Sequence, residues 1–203
     1  MRVLGISGSL RRVLGNITLA SAPNHAEWEG HSLEALAADF GEEPREAARR
    51  IVDAEGYGAV VVIESMHEDD VRTVMAHPTT MIGSDGIPTF GGKPHPRLYG
   101  TFARVLGHYA RDERVLSLEQ AVHRMTGMPA TKFALAGRGL ISPGAWADLV
   151  LFDPATINDV ATYESPRQHP TGISTVWVNG VAVVRDGAHT RERPGRALRR
   201  TGS

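Results

Sequence analysis

The sequence predicts an α/β protein in which parallel strands and helices give way, after Gly144, to antiparallel strands. Residues 59–63 form a continuous apolar run that is β-branched from Val60 to Ile63, which is typical of a strand buried on both faces in a parallel sheet. A helix pattern separates this run from a second strand pattern at residues 79–84, and such a crossover joins parallel strands. Near the end, Asn179 and Gly180 lie between two apolar runs, which is a strong hairpin signal. With 203 residues and 41% hydrophobic composition, the chain can bury a sizeable core.

The first part of the chain shows clear start and stop signals. Residues 16–21 read as a strand. A helix follows, for which Ser32 is a suitable N-cap and Gly41 a suitable stop. Pro44 opens a second helix that Gly56 closes.

A third helix is predicted to link the two parallel strands. It begins with Glu68, Asp69 and Asp70, where the positive end of the helix dipole favours acids, and it ends at His77-Pro78. Because such crossovers are right-handed and short, we expect strands 59–63 and 79–84 to be neighbours.

Three further helices are expected in the next sixty residues. The first has a buried face at Phe102, Val105, Leu106 and Tyr109. The second starts with a capping box at residues 117–120, and Pro129 opens a short third one.

The last part of the chain changes to strands. Residues 148–152, 175–178 and 181–184 are predicted strands, with Trp146 and Trp177 packed among them. The sequence therefore divides into residues 1–14, an α/β part over 15–138, and a β part with a basic tail over 139–203.

Composition and charge exclude several classes of function. The net charge of −1 gives no general attraction to nucleic acid, and no apolar run is long enough to span a membrane. Residues 27–55 carry a net −6 and residues 185–203 a net +4, which we interpret as a solvated acidic helix face and a loose basic tail. With no cysteine there can be no disulfide or thiolate metal site. No secretory signal pattern is seen, so the cytoplasm is the expected compartment.

The clearest candidate functional residues lie in two short segments, Ser84-Asp85-Gly86 and His95-Pro96-Arg97. A carboxylate at the C-terminal end of a parallel strand faces the ligand crevice, where it can hold a metal or accept a proton. An arginine on the following loop can bind a substrate carboxylate with two parallel hydrogen bonds. From residue type alone, a simple turn at Asp85 and a solvated loop charge at Arg97 stay open as alternatives.

The first twelve residues combine a short apolar strand with Gly5, Gly8 and Ser9, a pattern that can hold a phosphate. This stretch resembles the start of flavodoxin-like flavin reductases. No second flavin-contacting segment follows, so an NAD(P)H-dependent flavin reductase is a minor alternative.

A much longer resemblance involves the segments that carry Asp85 and Arg97. The residues concerned are 27–48, 68–78, 81–86, 94–112, 116–154, 175–190 and 194–200. They resemble the C-terminal part of N-acyl-D-amino-acid deacylases, the D-aminoacylases of the amidohydrolase superfamily. The combination of the GSDG and HPR segments is specific to that family, whereas the ADLVLFD segment is shared by many amidohydrolases.

This resemblance implies a fold and a reaction. The family has a (β/α)8 barrel with a small β-domain, so this chain would hold the last barrel strands and helices, then the antiparallel strands of the β-domain. The reaction is zinc-dependent hydrolysis of an N-acyl-D-amino acid. By resemblance, Asp85 is the catalytic proton carrier and a metal-facing carboxylate. Arg97 is the residue that binds the substrate carboxylate.

The family's other zinc ligands have no counterpart in this sequence. His67, His77, His95 and His108 lack metal-ligand spacing, and we expect each to be an exposed polar side chain. We therefore expect a truncated chain that binds zinc weakly and is inactive alone. The alternative is a non-catalytic fragment that completes a barrel with a separate N-terminal half. Uncovered sheet edges would favour that association or a homo-oligomer.

Overall fold

The computed structural model describes residues 15–88 and 91–198. The glycine loop with its flavin-reductase resemblance lies outside the described residues. The chain forms two compact units, and each is described by itself. Unit 1 holds the described residues up to His67 together with Gly86–Leu98 and Thr162–Arg167; unit 2 holds Glu68–Asp85, Tyr99–Ala161 and the residues from Gln168 onward.

Unit 1 packs two helices on a two-stranded antiparallel sheet. Its elements in order are β1 (Ile17–Ser21), α1 (Leu33–Phe40), α2 (Pro44–Glu55) and β2 (Val60–Ile63). In the sheet, Ile17 lies opposite Ile63 and Leu19 opposite Val61. Its core consists of Leu19, Ala22, Leu33, Leu36, Ala37, Ala47 and Ile51.

The predicted ends of α1 and α2 are confirmed. The Ser32 hydroxyl accepts the Ala35 N–H at 3.1 Å, and Gly41 adopts a left-handed φ of 66°. Pro44 is the first residue of α2, and Gly56 follows its last. These helix ends were predictable because each depends on a single nearby residue, either a capping side chain or a glycine, which has no side chain.

The prediction that residues 59–63 are a parallel strand buried on both faces is wrong. Within the described residues β2 pairs with β1 alone, and the pairing is antiparallel. Val60, Val61 and Ile63 are 41%, 46% and 52% exposed. A β-branched run specifies a strand, but which strand it pairs with and whether its side chains are buried depend on the rest of the fold.

Unit 2 contains most of the helices. They are α3 (Glu68–Ala76), α4 (Arg97–Arg104, whose first two residues belong to unit 1), α5 (Leu118–Met125) and α6 (Gly127–Lys132); a π-helical segment, Val105–Asp112, continues α4. The acidic start of α3 and the capping box at Ser117 are confirmed. The core of unit 2 includes Met75, Ala103, Leu106, Tyr109, Leu116 and Ile157.

The predicted strand at residues 79–84 is absent, so it has no place beside β2. The Ile82 N–H donates to the carbonyl of Arg124, at the end of α5, at 3.1 Å. The Arg124 guanidinium is buried and donates to carbonyls at and just after the end of α3, including His77 at 2.7 Å. The end of α5 therefore accepts the Ile82 N–H, which a neighbouring strand would accept if residues 79–84 formed a strand.

Phe102 also differs from its prediction, since it is 47% exposed whereas Val105, Leu106 and Tyr109 are buried. The buried face of α4 runs through Gly100 and Ala103 instead. A Cβ on Gly100 would lie 2.9 Å from the Cβ of Asp159, so α4 packs closely through small residues.

The predicted change to antiparallel structure is confirmed. A four-stranded sheet has the order β3 (Leu149–Phe152), β4 (Ile173–Val178), β5 (Val181–Arg185) and β6 (Ala188–His189). Asn179 and Gly180 join β4 to β5 with φ angles of 49° and 81°, the positive values that a tight hairpin needs. Trp177 is half-buried in β4, whereas Trp146 is 46% exposed under the Arg196 guanidinium, 3.7 Å from its ring.

No helix among residues 15–88 and 91–198 has the length and apolar character that crossing a membrane requires.

One buried carboxylate fastens unit 1 internally. The Glu55 side chain accepts the Asn24 N–H at 3.0 Å, and its second oxygen lies 2.6 Å from Nδ1 of His25. Burial raises the pKa of Glu55, but these hydrogen bonds outweigh burial and hold that pKa below its ordinary value of 4.5. Glu55 therefore stabilises the fold in its ionised form.

We expect the free energy of unfolding to fall as the pH drops below about 4.5 and through the folded pKa of Glu55. The reason is that the unfolded carboxylate takes up its proton before the folded one does. Glu55→Gln should lower stability at neutral pH and lose part of the acid dependence, as measured by urea denaturation over a pH series. Glu46→Gln, an exposed position on α2, should behave like the wild type. A stability difference between wild type and Glu55→Gln that stays constant with pH would contradict this assignment.

Candidate functional site

The segment that carries Arg97 is fixed to β1 by a main-chain contact. The Lys93 N–H donates to the carbonyl of Ala20 at 2.6 Å. Gly92 has a φ of +71°, and a Cβ placed on it would lie within 3 Å of Ser21 Cβ and of the Ala20 carbonyl oxygen. Only glycine allows this approach without moving the loop or the strand.

Arg97 begins helix α4 and is half-buried. Its backbone N–H donates to Nδ1 of His95 at 3.0 Å, and the Leu98 N–H donates to the His95 carbonyl at 3.0 Å. The first N–H groups of a helix have no partner within the helix, so His95 satisfies two of them. The structure thus places Arg97 at the start of a helix whose first two N–H groups are hydrogen-bonded to His95. Arg97 is therefore not a solvated charge on a loop.

A separate segment, Thr162–Arg167, lies against this loop within unit 1. Arg167 donates to the carbonyl of Gly91 at 2.5 Å. The Tyr163 hydroxyl lies 3.1 Å from Nε2 of His95, and the two rings meet edge to face at 5.2 Å. Sequence reasoning missed Tyr163 and Arg167 because about seventy residues separate them from the loop.

Asp85 belongs to unit 2, where it is exposed and has a φ of 47°. Aspartate tolerates this left-handed conformation better than most residues, which also suits the turn that Asp85-Gly86 predicts. It follows the irregular segment that Ile82 fixes to the end of α5. The carboxylate is therefore accessible to solvent, on a backbone that is anchored three residues earlier.

The four histidines considered as metal ligands differ in burial and in hydrogen bonding. His95 is half-buried with both ring nitrogens in hydrogen bonds, so the prediction that it is simply exposed is wrong. His108 is also half-buried, with Nε2 3.1 Å from Glu113. His67 and His77 are exposed, as predicted. The prediction for His95 failed because its partner Tyr163 is distant in sequence.

A zinc site does not fit the donor set described here. Among the residues that the structure describes, no three His, Asp or Glu side chains are grouped closely enough to hold a metal ion. Catalytic zinc is held by three protein ligands, and Asp85 is a single carboxylate.

Most of this chain matches a known family. The sequence profile of the amidohydrolase family matches residues 22–184, and the chain belongs to that family. Within it, the chain is similar to the deacylases of N-acyl-D-amino acids.

Three relatives document this similarity. The D-aminoacylase of Alcaligenes xylosoxydans xylosoxydans is 47% identical over 175 residues, which are 86% of this chain and 35% of that protein. A solved structure of D-aminoacylase, from work on its binuclear metal center, has a TM-score of 0.82 at 44% identity and covers 90% of this chain and 37% of its own. The N-acyl-D-glutamate deacylase of Bordetella bronchiseptica, solved with zinc and a phosphonate inhibitor, has a TM-score of 0.79 at 41% identity and covers 89% and 38%. The chain thus spans little more than a third of each relative's length.

The contact at Gly92 can be tested with its neighbour as control. Gly92→Ala should destabilise the protein by about 1–3 kcal/mol, because the added methyl overlaps β1 and the positive φ is strained. It should also speed hydrogen exchange at the Lys93 amide.

Gly91→Ala is the matched control, because its Cβ would have no described atom within 4 Å. Its stability should change by less than about 0.5 kcal/mol. Equal effects of the two substitutions in denaturation and exchange measurements would show that the close contact with β1 is not what holds the loop.

Proposed function

We propose that this chain provides the C-terminal part of the active site of an N-acyl-D-amino-acid deacylase, as the last strands and helices of a barrel followed by a β-domain. The observation that carries the proposal is the 47% identity to D-aminoacylase over 175 residues, which include Asp85 and Arg97. The substrate is a small N-acyl-D-amino acid, and the products are a D-amino acid and a carboxylic acid.

Asp85 is proposed as the proton carrier of the hydrolysis. Water attacks the amide carbonyl carbon and gives its proton to the Asp85 carboxylate. The Asp85 carboxyl then gives that proton to the amide nitrogen as the C–N bond breaks. An accessible carboxylate on an anchored backbone suits a group that accepts and returns a proton.

Arg97 is proposed to bind the α-carboxylate of the substrate. Its guanidinium can donate two parallel hydrogen bonds to a carboxylate, which fixes the orientation of the substrate as well as its charge. The held first turn of α4 supports this role, because the position of the guanidinium depends on the backbone that carries it.

Zinc is proposed as the metal of the complete enzyme, in line with the zinc-bound relative. Since the described donor set does not fit a zinc site, its main ligands would come from residues outside this set, with Asp85 at most one of them. On this proposal the isolated chain binds zinc weakly and turns over little substrate.

Activity is best tested in what we call the assembled enzyme: this chain co-expressed with the N-terminal region of the Alcaligenes D-aminoacylase that it does not match. Asp85→Asn should lower kcat about 10²–10⁴-fold with KM nearly unchanged, because an amide cannot accept and return the proton. The measurement is steady-state hydrolysis of an N-acetyl-D-amino acid. Wild-type kcat in Asp85→Asn would remove Asp85 from this role.

A second proposal concerns assembly and is favoured by one face of β2. Val61 and Ile63 share that face, because side chains alternate along a strand, and they are 46% and 52% exposed. Within the described residues β2 pairs with β1 alone. We propose that a polypeptide with the N-terminal part of the family's barrel covers this face, so that this chain completes the fold.

Charge placed on that face should prevent assembly. Val61→Asp should weaken association with the N-terminal region about tenfold or more, because a carboxylate would be buried without a partner. Val52→Asp, at an exposed position of α2, is the control and should not affect association. Sedimentation velocity of the mixture gives the readout. Assembly that survives Val61→Asp, or a homo-oligomer held by this face, would contradict the proposal.

A further inference from the structure

His95 joins two parts of unit 1 through opposite edges of one imidazole ring. Its Nδ1 receives the backbone N–H of Arg97 at 3.0 Å, and its Nε2 lies 3.1 Å from the Tyr163 hydroxyl. Tyr163 comes from the segment Thr162–Arg167, 68 residues further along the chain.

The first of these hydrogen bonds fixes the state of the ring. A backbone N–H can only donate, so Nδ1 must be unprotonated and acts as the acceptor. The neutral ring then carries its proton on Nε2, which donates to the oxygen of Tyr163. A histidine protonated on both nitrogens would lose the acceptor for Arg97.

The segment that supplies Tyr163 has hydrogen bonds of its own. The Thr162 N–H donates to the Ser165 carbonyl at 3.2 Å, and the Thr162 hydroxyl accepts the Ser165 N–H at 3.1 Å. Arg167 then holds the Gly91 carbonyl at 2.5 Å. The segment therefore contacts the loop at Gly91 and again at His95, on either side of Lys93.

We propose that Tyr163 and His95 are positioning residues that hold the first turn of α4, so that the Arg97 guanidinium meets the carboxylate of the substrate. This inference rests on the proposed role of Arg97. Tyr163 orients the ring of His95, and the ring holds the Arg97 amide.

The physical reason lies in the start of a helix. The amide of the first helical residue has no partner within the helix, and without one the first turn frays into solvent. Two parallel hydrogen bonds to a carboxylate require a defined guanidinium plane. A shift of about 1 Å in such a group is enough to weaken substrate positioning severely.

The ring state can be tested on the full chain without any activity. In ¹⁵N NMR spectra at neutral pH, His95 should carry its proton on Nε2. Tyr163→Phe should increase the share of the other tautomer and speed hydrogen exchange at the Arg97 amide. Tyr57→Phe, at a fully exposed tyrosine, should change neither. A wild-type ring protonated on Nδ1 would overturn the inference.

Kinetics of the assembled enzyme separate positioning from general stability. Tyr163→Phe should raise KM about three- to tenfold and leave kcat within about twofold, since one hydrogen bond is lost. His95→Ala should raise KM further. His95→Asn should recover part of that loss, because its side-chain oxygen can accept the Arg97 amide. Equal KM values for His95→Ala and His95→Asn, or a fall in kcat alone, would overturn the inference.

A double substitution separates this inference from the proposed function. In an Arg97→Ala background, Tyr163→Phe should raise KM no further, because both changes act through the same guanidinium. Independent, multiplicative effects would overturn the inference while leaving Arg97 in its proposed role. If Arg97→Ala leaves KM unchanged, the proposed role of Arg97 fails and the inference fails with it.

Discussion

The contact between Gly92 and β1 is the constraint on which the candidate site depends. Because Gly92 has no side chain, the Lys93 N–H can donate to the Ala20 carbonyl at 2.6 Å. This hydrogen bond fixes the loop to β1, next to Leu19 and Ala22 in the core of unit 1. His95 and Arg97 follow within five residues, so their positions are set from this point. The segment Thr162–Arg167 contacts the same loop at Gly91 and at His95.

The two proposed functional groups have environments that suit different tasks. Asp85 is exposed on an irregular segment. Arg97 is half-buried at a helix start whose amides are engaged, and this arrangement favours a fixed orientation over free movement. A proton carrier needs access, whereas a group that binds the substrate carboxylate needs a defined geometry.

Features fixed by a single residue could be predicted from the sequence, and features fixed by distant partners could not. Ser32, Gly41 and the Asn179-Gly180 hairpin behave as predicted because turn and cap geometry is local. Whether β2 pairs in a parallel or an antiparallel direction, and whether its side chains are buried, depends on other parts of the chain. The β-branched run of β2 does not encode either property. The link from Tyr163 to His95 spans 68 residues, so neither residue's role could be found from local pattern.

The most direct test of the central claim, that the held loop presents Arg97 to a carboxylate, is a substrate comparison in the assembled enzyme. The kcat/KM of an N-acetyl-D-amino acid is measured beside that of its carboxamide, which lacks the charge. The wild type should prefer the acid about 10- to 100-fold, Arg97→Lys less, and Arg97→Ala should lose the preference because the charge-assisted pair is gone. If Arg97→Ala slowed both substrates by the same factor, the guanidinium would not be binding the carboxylate, and the account would be contradicted.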